Sequence, residues 1–427
     1  MRMVRFIAVT LVCSSGFAAG PTLVEAIKSG KWMMAESLIR GGAAVNAAQP
    51  DGSTPLHWAS YEDSAELVDA LLKAGAKPNA ADDYGETALT LACENGDAKL
   101  IGRLLAAGAD PNAARWNGET VLMIASRTGN IESVSALIAA KANVNAAERL
   151  KGQNALMWAA AEGHSDVIGF LLKAGADPAA ASKAGFTPVT FAAMHDNPAP
   201  LEALLDGGAK IEAALTTAVS GSNAKVVSFL LGRSAGVNIA DRAGNSPVQL
   251  AAQTGNLKIL KMLIDAGADV NAKSGNIAAG APAGVRRGGG AGQTALLISA
   301  RGGRLDAMQA LIEAGADPRI KSADGTTLLM AAAASGKMNV VEYALQYDHD
   351  LKARNSAAQT VMHMAVSGGS GEAGRVVQFL AEKGAELDLP DSAGKTPLDL
   401  AVADGNKGQI AIVLRKLIEA AGTSSKP

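Results

Sequence analysis

One stretch of about thirty residues constrains this chain more than any other feature, because it recurs. Residues 51–80 read DGSTPLHWASYEDSAELVDALLKAGAKPNA. Asp51-Gly52 is a turn signal in which glycine tolerates a positive φ. Thr54 offers a hydroxyl as the N-cap of a helix, and Pro55 stands at the first helical position, where its missing N–H costs nothing. Leu56, Trp58 and Ala59 start a short apolar helix face. Leu67, Val68, Leu71 and Leu72 follow with the 3-to-4 spacing of a second helix packed along one side. Gly75 marks the end of that helix, and the residues to Ala80 run extended into the next turn. One unit is therefore turn, helix, helix, extended arm.

The turn glycine returns as Gly85, Gly118, Gly152 and Gly185, in steps of 33, 33, 34 and 33 residues, and again as Gly244, Gly292, Gly325 and Gly394. The helix-ending segment returns as Gly108-Ala109-Asp110-Pro111, Gly175-Ala176-Asp177-Pro178, Gly267-Ala268-Asp269-Val270 and Gly315-Ala316-Asp317-Pro318. A 33-residue period with Thr-Pro-Leu-His-Trp-Ala at 54–59 resembles the ankyrin repeat. The resemblance runs from about Pro21 to Gly422. It implies an all-α ankyrin-repeat solenoid of about twelve helix-turn-helix units with short hairpin-like arms, growing by stacking rather than around one core. It implies a binding scaffold, and the scaffold alone names no partner. Residues 19–50 read as an N-terminal cap repeat that lacks its opening turn. Repeats then begin near 51, 84, 117, 151, 184, 213, 243, 291, 324 and 357, and a C-terminal cap repeat spans 393–422 before a polar tail, 423–427.

The first twenty residues, MRMVRFIAVTLVCSSGFAAG, do not fit the repeat. Arg2 and Arg5 precede an apolar run from Phe6 to Val12, and small residues follow, with Gly16 and Ala18 placed for cleavage after Ala18. That is the shape of a secretory signal peptide over 1–18, too short for a membrane span. Cys13 leaves lipidation open, although bulky Val12 replaces the small residue expected before it. Without the leader Cys93 is the one cysteine, in a column of small residues (Ser60, Ser126, Ala160, Ala193), so it reads as packing and no intramolecular disulfide is expected. The reading is an exported bacterial protein, periplasmic or secreted, with no membrane span after cleavage and a monomer. The chain's net charge of −2 with scattered Lys and Arg argues against a nucleic-acid partner.

Four departures break the period. Repeat six (213–242) is short of its turn and arm tip. The repeat before it carries Pro198 and Pro200 where its second helix is due. About 15 extra Gly-, Ala- and Pro-rich residues with Arg286-Arg287 form an insertion at 274–290, expected as a surface loop. Gly369 to Gly374 has phosphate-loop spacing but lacks the Lys-Ser/Thr pair and a preceding strand, so it reads as a stretched inter-helix loop.

No catalytic constellation emerges. His57 and His363 occupy the same repeat position near opposite ends of the stack, and neither His-Glu-x-x-His nor paired Cys-x-x-Cys occurs. No enzyme activity, cofactor or metal is expected. Binding is expected instead at the arm tips and the exposed side of the first helices: Tyr84, Glu86, Arg115, Trp116, Glu119, Leu150 and Phe186, with Met123 and Met157 in the His57 column as adaptable apolar contacts. A large apolar side chain at a tip rimmed by charge is how interface anchors look. Trp116 is the sharpest candidate, since most tips hold Asp, Ser, Ala or Asn there; the alternative is that it folds onto the adjacent arm. The next column (Trp58, Leu91, Ile124, Trp158, Phe191, Leu250, Leu400) is read as core. The chain is thus expected to be a non-catalytic scaffold for a protein partner, as a periplasmic adaptor or accessory protein, or else as a secreted effector that binds a host protein. An enzyme or small-molecule binder built on the insertion and the gap near 213 is the third reading.

Overall fold

A computed structural model describes residues 22–211, 214–275, 292–368 and 371–424. The expected leader, nearly all of the insertion, and Gly369-Ser370 lie outside the described residues. Among those described there are 24 α-helices, one short 3-10 turn and no strand, so the chain is a helical-repeat solenoid. Contacts divide it into two units. The N-terminal unit runs to Ala159 and includes 169–177 and 182–184; the C-terminal unit comprises 160–168, 178–181 and 185–427.

In the N-terminal unit, the helix Pro55–Tyr61 starts as its sequence dictates. Thr54 is the N-cap, Pro55 lies in the first turn, and Thr54 and His57 form a reciprocal capping box. The helices Ala65–Lys73 and Ala98–Ala106 bury Leu67, Val68 and Leu71, and Leu100, Ile101 and Leu104, the apolar stripe read from the spacing. The first helix of one repeat packs on the first helix of the next, as Pro55–Tyr61 does on Ala88–Asn95 and that helix on Val121–Thr128. Gly75 and Gly108 follow the second helices in the left-handed region, and Lys141 takes that conformation in their place at φ 73°.

The C-terminal unit carries the irregular repeats. The first helix of repeat five is only Pro188–Ala192, and its second helix Ala199–Asp206 has Pro198 as N-cap and Pro200 in its first turn. The two prolines open that helix rather than displace it, because the first turn needs no intrahelical N–H. Repeat six keeps both helices, Ala214–Ser220 and Ala224–Gly232. Across its missing arm, Arg242 at the end of repeat six donates to the Gly185 carbonyl and lies 5.7 Å from the Phe186 ring centre. The hairpin that bears the insertion is closed at its base, since Ser274 N–H donates to Gln293 O (2.9 Å) and Gly292 N–H to Ser274 O (2.8 Å). The last helix, Gly408–Ser424, extends through the residues expected to start the tail; it buries Leu414 and exposes Arg415, Lys416 and Glu419, the polar outer side that a terminal repeat needs.

Candidate protein-interaction surface

The arm tips of the N-terminal unit are joined by backbone. Asp83 N–H donates to Asp51 O (3.0 Å), Trp116 N–H to Tyr84 O (3.0 Å), Arg149 N–H to Asn117 O (2.8 Å) and Lys183 N–H to Lys151 O (2.8 Å). The ladder sets Tyr84, Trp116 and Leu150 at successive tips. They are 55%, 61% and 59% exposed, so Trp116 is not folded away on the adjacent arm. Gly85 is required where two arms of the ladder come close. Its φ is 76°, and a β-carbon there would lie 3.0 Å from both Trp116 N and Ala114 O.

Beneath Trp116 the charges are organised around Arg115. Its Nε lies 2.7 Å from Glu86 Oε1, one terminal nitrogen lies 2.9 Å from Glu119 Oε2, and the other bonds Glu94. Arg127 completes the network at 3.2 Å from Glu119 and 3.7 Å from Glu94, and its guanidinium lies 5.2 Å from the Trp158 ring centre. Thr90 donates to the second oxygen of Glu86 (2.9 Å). Burial by itself would lower the Arg115 pKa; the hydrogen bonds and charges of Glu94, Glu86 and Glu119 outweigh it, and the pKa is raised. The cluster fastens two arms to two first helices, so Glu86, Arg115 and Glu119 support Trp116 from below rather than standing at the rim. Glu119 itself is buried.

At the next tip Glu148 does the same for Leu150. Its carboxylate accepts from the backbone N–H groups of Leu150 (2.6 Å), Lys151 (2.7 Å) and Gln153 (2.9 Å). Desolvation raises its pKa, but these bonds with the Lys183 charge dominate and hold it below the usual carboxylate range. Glu148 is a tip-shaping residue that the sequence reading passed over. The Glu-x-x-Lys-Gly order around a turn was its available signal.

Two expected contacts are corrected. Met123 and Met157 are fully buried, and so are His57 and Thr90 at the same register position. The reason is local. That residue is the third of its helix, and its side chain turns back beneath the cap and across to the next repeat. In the polar copy, Thr54 N–H donates to His57 Nδ1 (3.1 Å), so the proton sits on Nε2, which lies 2.8 Å from Glu86 O. The methionines fill the same slot with volume alone. The following column, expected as core, is instead half-buried at Trp58, Leu91, Trp158 and Phe191, while Ile124 and Leu250 are buried. It is this column that faces the tips. Trp58 donates to Gln49 (2.9 Å), carries the Lys28 ammonium 4.1 Å from its ring centre, and meets Tyr61 edge-on at 5.9 Å.

In the C-terminal unit Phe186 is 40% exposed, tilted against Phe191 at 6.1 Å and covered in part by Arg242. Cys93 is buried and its thiol pKa is pushed far up, chiefly by desolvation, which leaves it inert. Among the described residues no cluster of His, Cys, Asp and Glu is placed to hold a metal ion, and no helix is long and apolar enough to cross a membrane.

A stack of capped helix pairs presenting a row of rigid arm tips is the architecture of a helical-repeat binding scaffold. The family model described as ankyrin repeats (3 copies) matches residues 23–115, 91–182, 122–213, 189–274, 277–355 and 339–421, and the chain belongs to that family. Ankyrin repeats are generic protein–protein interaction modules. The chain is also 39% identical over 88 residues to zinc finger CCCH domain-containing protein 50 of Oryza sativa subsp. japonica; the match covers 20% of this chain and 13% of that protein.

Proposed function

We propose that this chain is a non-catalytic scaffold that holds one protein partner against the arm tips of its N-terminal unit, and that it acts after export as a periplasmic adaptor or accessory protein. One observation carries the reading: Tyr84, Trp116 and Leu150 stand more than half exposed on a hydrogen-bonded backbone ladder, with ion-paired or hydrogen-bonded carboxylates beneath them. Leaving three large apolar groups in water on a rigid support is unfavourable for a chain with no use for them, and such groups are what interface anchors consist of. Export rests on the N-terminal pattern of two arginines, an apolar run and small residues. A second reading, a secreted effector that binds a host protein, rests on the same pattern and surface.

Fractionation of the source cells, joined to affinity capture with residues 19–427, tests both. The adaptor reading expects a protein beginning at Ala19, retained in the envelope, that captures a specific envelope protein. Release into the medium with capture of a host protein favours the effector. An uncleaved protein in the cytoplasm contradicts export altogether.

A further inference from the structure

Charge is unevenly spread along the chain. Between Asp51 and Asp97 there are ten Asp and Glu residues and only two cations, Lys73 and Lys77, against a formal net charge of −2 for the whole chain. Lys73 closes the second helix Ala65–Lys73, and Lys77 follows it, so neither belongs to a first helix or an arm tip. Asp51, Asp82, Asp83, Glu86 and Glu94 do. Glu94 is tied to this side directly through Arg115 of an arm. Near the other end of the first helices, burial first and then neighbouring Asp97 raise the pKa of the Asp63 carboxyl. Arg115 and Arg127 neutralise Glu86 and Glu94, so the acidic field at the tips is that of Asp51, Asp82 and Asp83.

Exposed aromatic rings stand in that field at Tyr61 and Tyr84 and on its border at Trp116, which follows Arg115 and whose carbonyl accepts from Arg149. Tyr61, Tyr84 and Trp116 each leave more than half of their surface in water. Tyr61 occupies the register position of Glu94 and Arg127, one and two repeats on, the two residues that ion-pair with the arms. At either flank the protein seats its own cations on rings of this surface, Lys28 on Trp58 and Arg127 on Trp158. A ring face beside carboxylates attracts a cation twice over, by its quadrupole and by charge.

We propose that the partner offers this face an extended basic segment, whose Lys or Arg side chains pack on Tyr61, Tyr84 and Trp116 between Glu62, Asp83 and the carboxylates of repeats one and two. This rests on the arm-tip reading above and narrows it. Complementary charge steers encounter and selects the partner, while the rings supply the contact area. The same field repels nucleic acid and anionic membrane surfaces.

The test is a selection of 16-residue peptides from a random display library on residues 19–427, with each enriched peptide then measured against three forms of the protein. The forms are the unaltered chain, Trp116→Ala, and Glu62→Lys/Asp83→Lys, which alters exposed side chains only. The proposal expects peptides rich in Lys and Arg, weakened at least fivefold by Trp116→Ala and at least tenfold by the charge reversal, with affinity falling steeply between 50 and 300 mM salt. Trp116→Ala leaves the net charge unchanged, so nonspecific attraction survives it and a seated peptide does not. Trp116-dependent peptides that are neutral or acidic, or that ignore the charge reversal, overturn the basic partner and leave the arm-tip surface standing. A selection that yields no peptide dependent on Trp116 overturns both.

Discussion

Removing the Arg115 guanidinium while keeping its apolar stem, as Arg115→Met, probes how the tip surface is held. The side chain is 14% exposed and bonds Glu86 and Glu119 at 2.7 and 2.9 Å as well as Glu94, so its loss strands three carboxylates around an apolar group. Breaking a buried pair from one side costs about 3–5 kcal/mol; Arg127 still neutralises Glu119 at 3.2 Å and Glu94 reaches solvent, which brings the expected cost to about 2–4 kcal/mol. Glu119→Gln in the same background removes one stranded charge, so the double variant recovers about 1–3 kcal/mol relative to the sum of the single losses. The assay is chemical denaturation followed by tryptophan fluorescence. All four tryptophans, Trp32, Trp58, Trp116 and Trp158, lie in the N-terminal unit, so the signal reports that unit alone. Additive losses to within about 0.5 kcal/mol would refute the network as the element that fastens the arms to the helices.

Three further outcomes follow from the same physics. Leu71→Ala or Leu171→Ala, at fully buried positions, costs about 2–5 kcal/mol and lowers hydrogen-exchange protection in the neighbouring repeats too; a loss confined to one repeat contradicts stacking as the source of stability. Lys141→Gly and Ala358→Gly relieve left-handed residues at φ 73° and 57°, a conformation that costs about 1–2 kcal/mol with a side chain, against roughly 0.5–1 kcal/mol of added glycine entropy. Each therefore raises the melting temperature slightly, and a fall in either shows that the native side chain makes contacts worth more than the strain. Glu148→Gln costs about 1–3 kcal/mol at neutral pH. Because the folded pKa of Glu148 is lowered, its contribution is complete above the unfolded value near 4.3 and is lost as pH falls through the folded value. The gap between the variant and the unaltered chain therefore closes in acid titrations below about pH 4, and a gap that widens there reverses the argument.

What was legible in the sequence was whatever repeats or obeys local backbone rules. Thr54-Pro55 fixed a helix start, the Leu67-to-Leu72 spacing fixed its partner, and the positive-φ glycines at 52, 85, 118 and 152 fixed the arms. The lateral rotation of the first helix was not legible. The column of His57, Met123 and Met157 and the column of Trp58, Ile124 and Trp158 both carry large apolar side chains and lie about 100° apart on a helix, so composition does not tell which faces the next repeat. The structure decides through the cap, because the third helical residue is drawn under Thr54 and toward Glu86. Exposure of Tyr84, Trp116 and Leu150 was readable, since a tip has no core beside it. The ion cluster under Trp116 was not, since Glu94 and Arg115 come from one repeat and Glu119 and Arg127 from the next, and they meet only when those repeats are stacked.

The central claim is that Trp116 and Tyr84 anchor a partner. Its most direct test is the dissociation constant of the captured partner for the unaltered chain and for the Tyr84→Ala/Trp116→Ala variant, with helicity measured on both. The account predicts unchanged helicity and binding weaker by at least about thirtyfold, the loss of an anchor worth 2 kcal/mol or more. An undiminished affinity in the folded variant would contradict it and move the interaction away from the arm tips of the N-terminal unit.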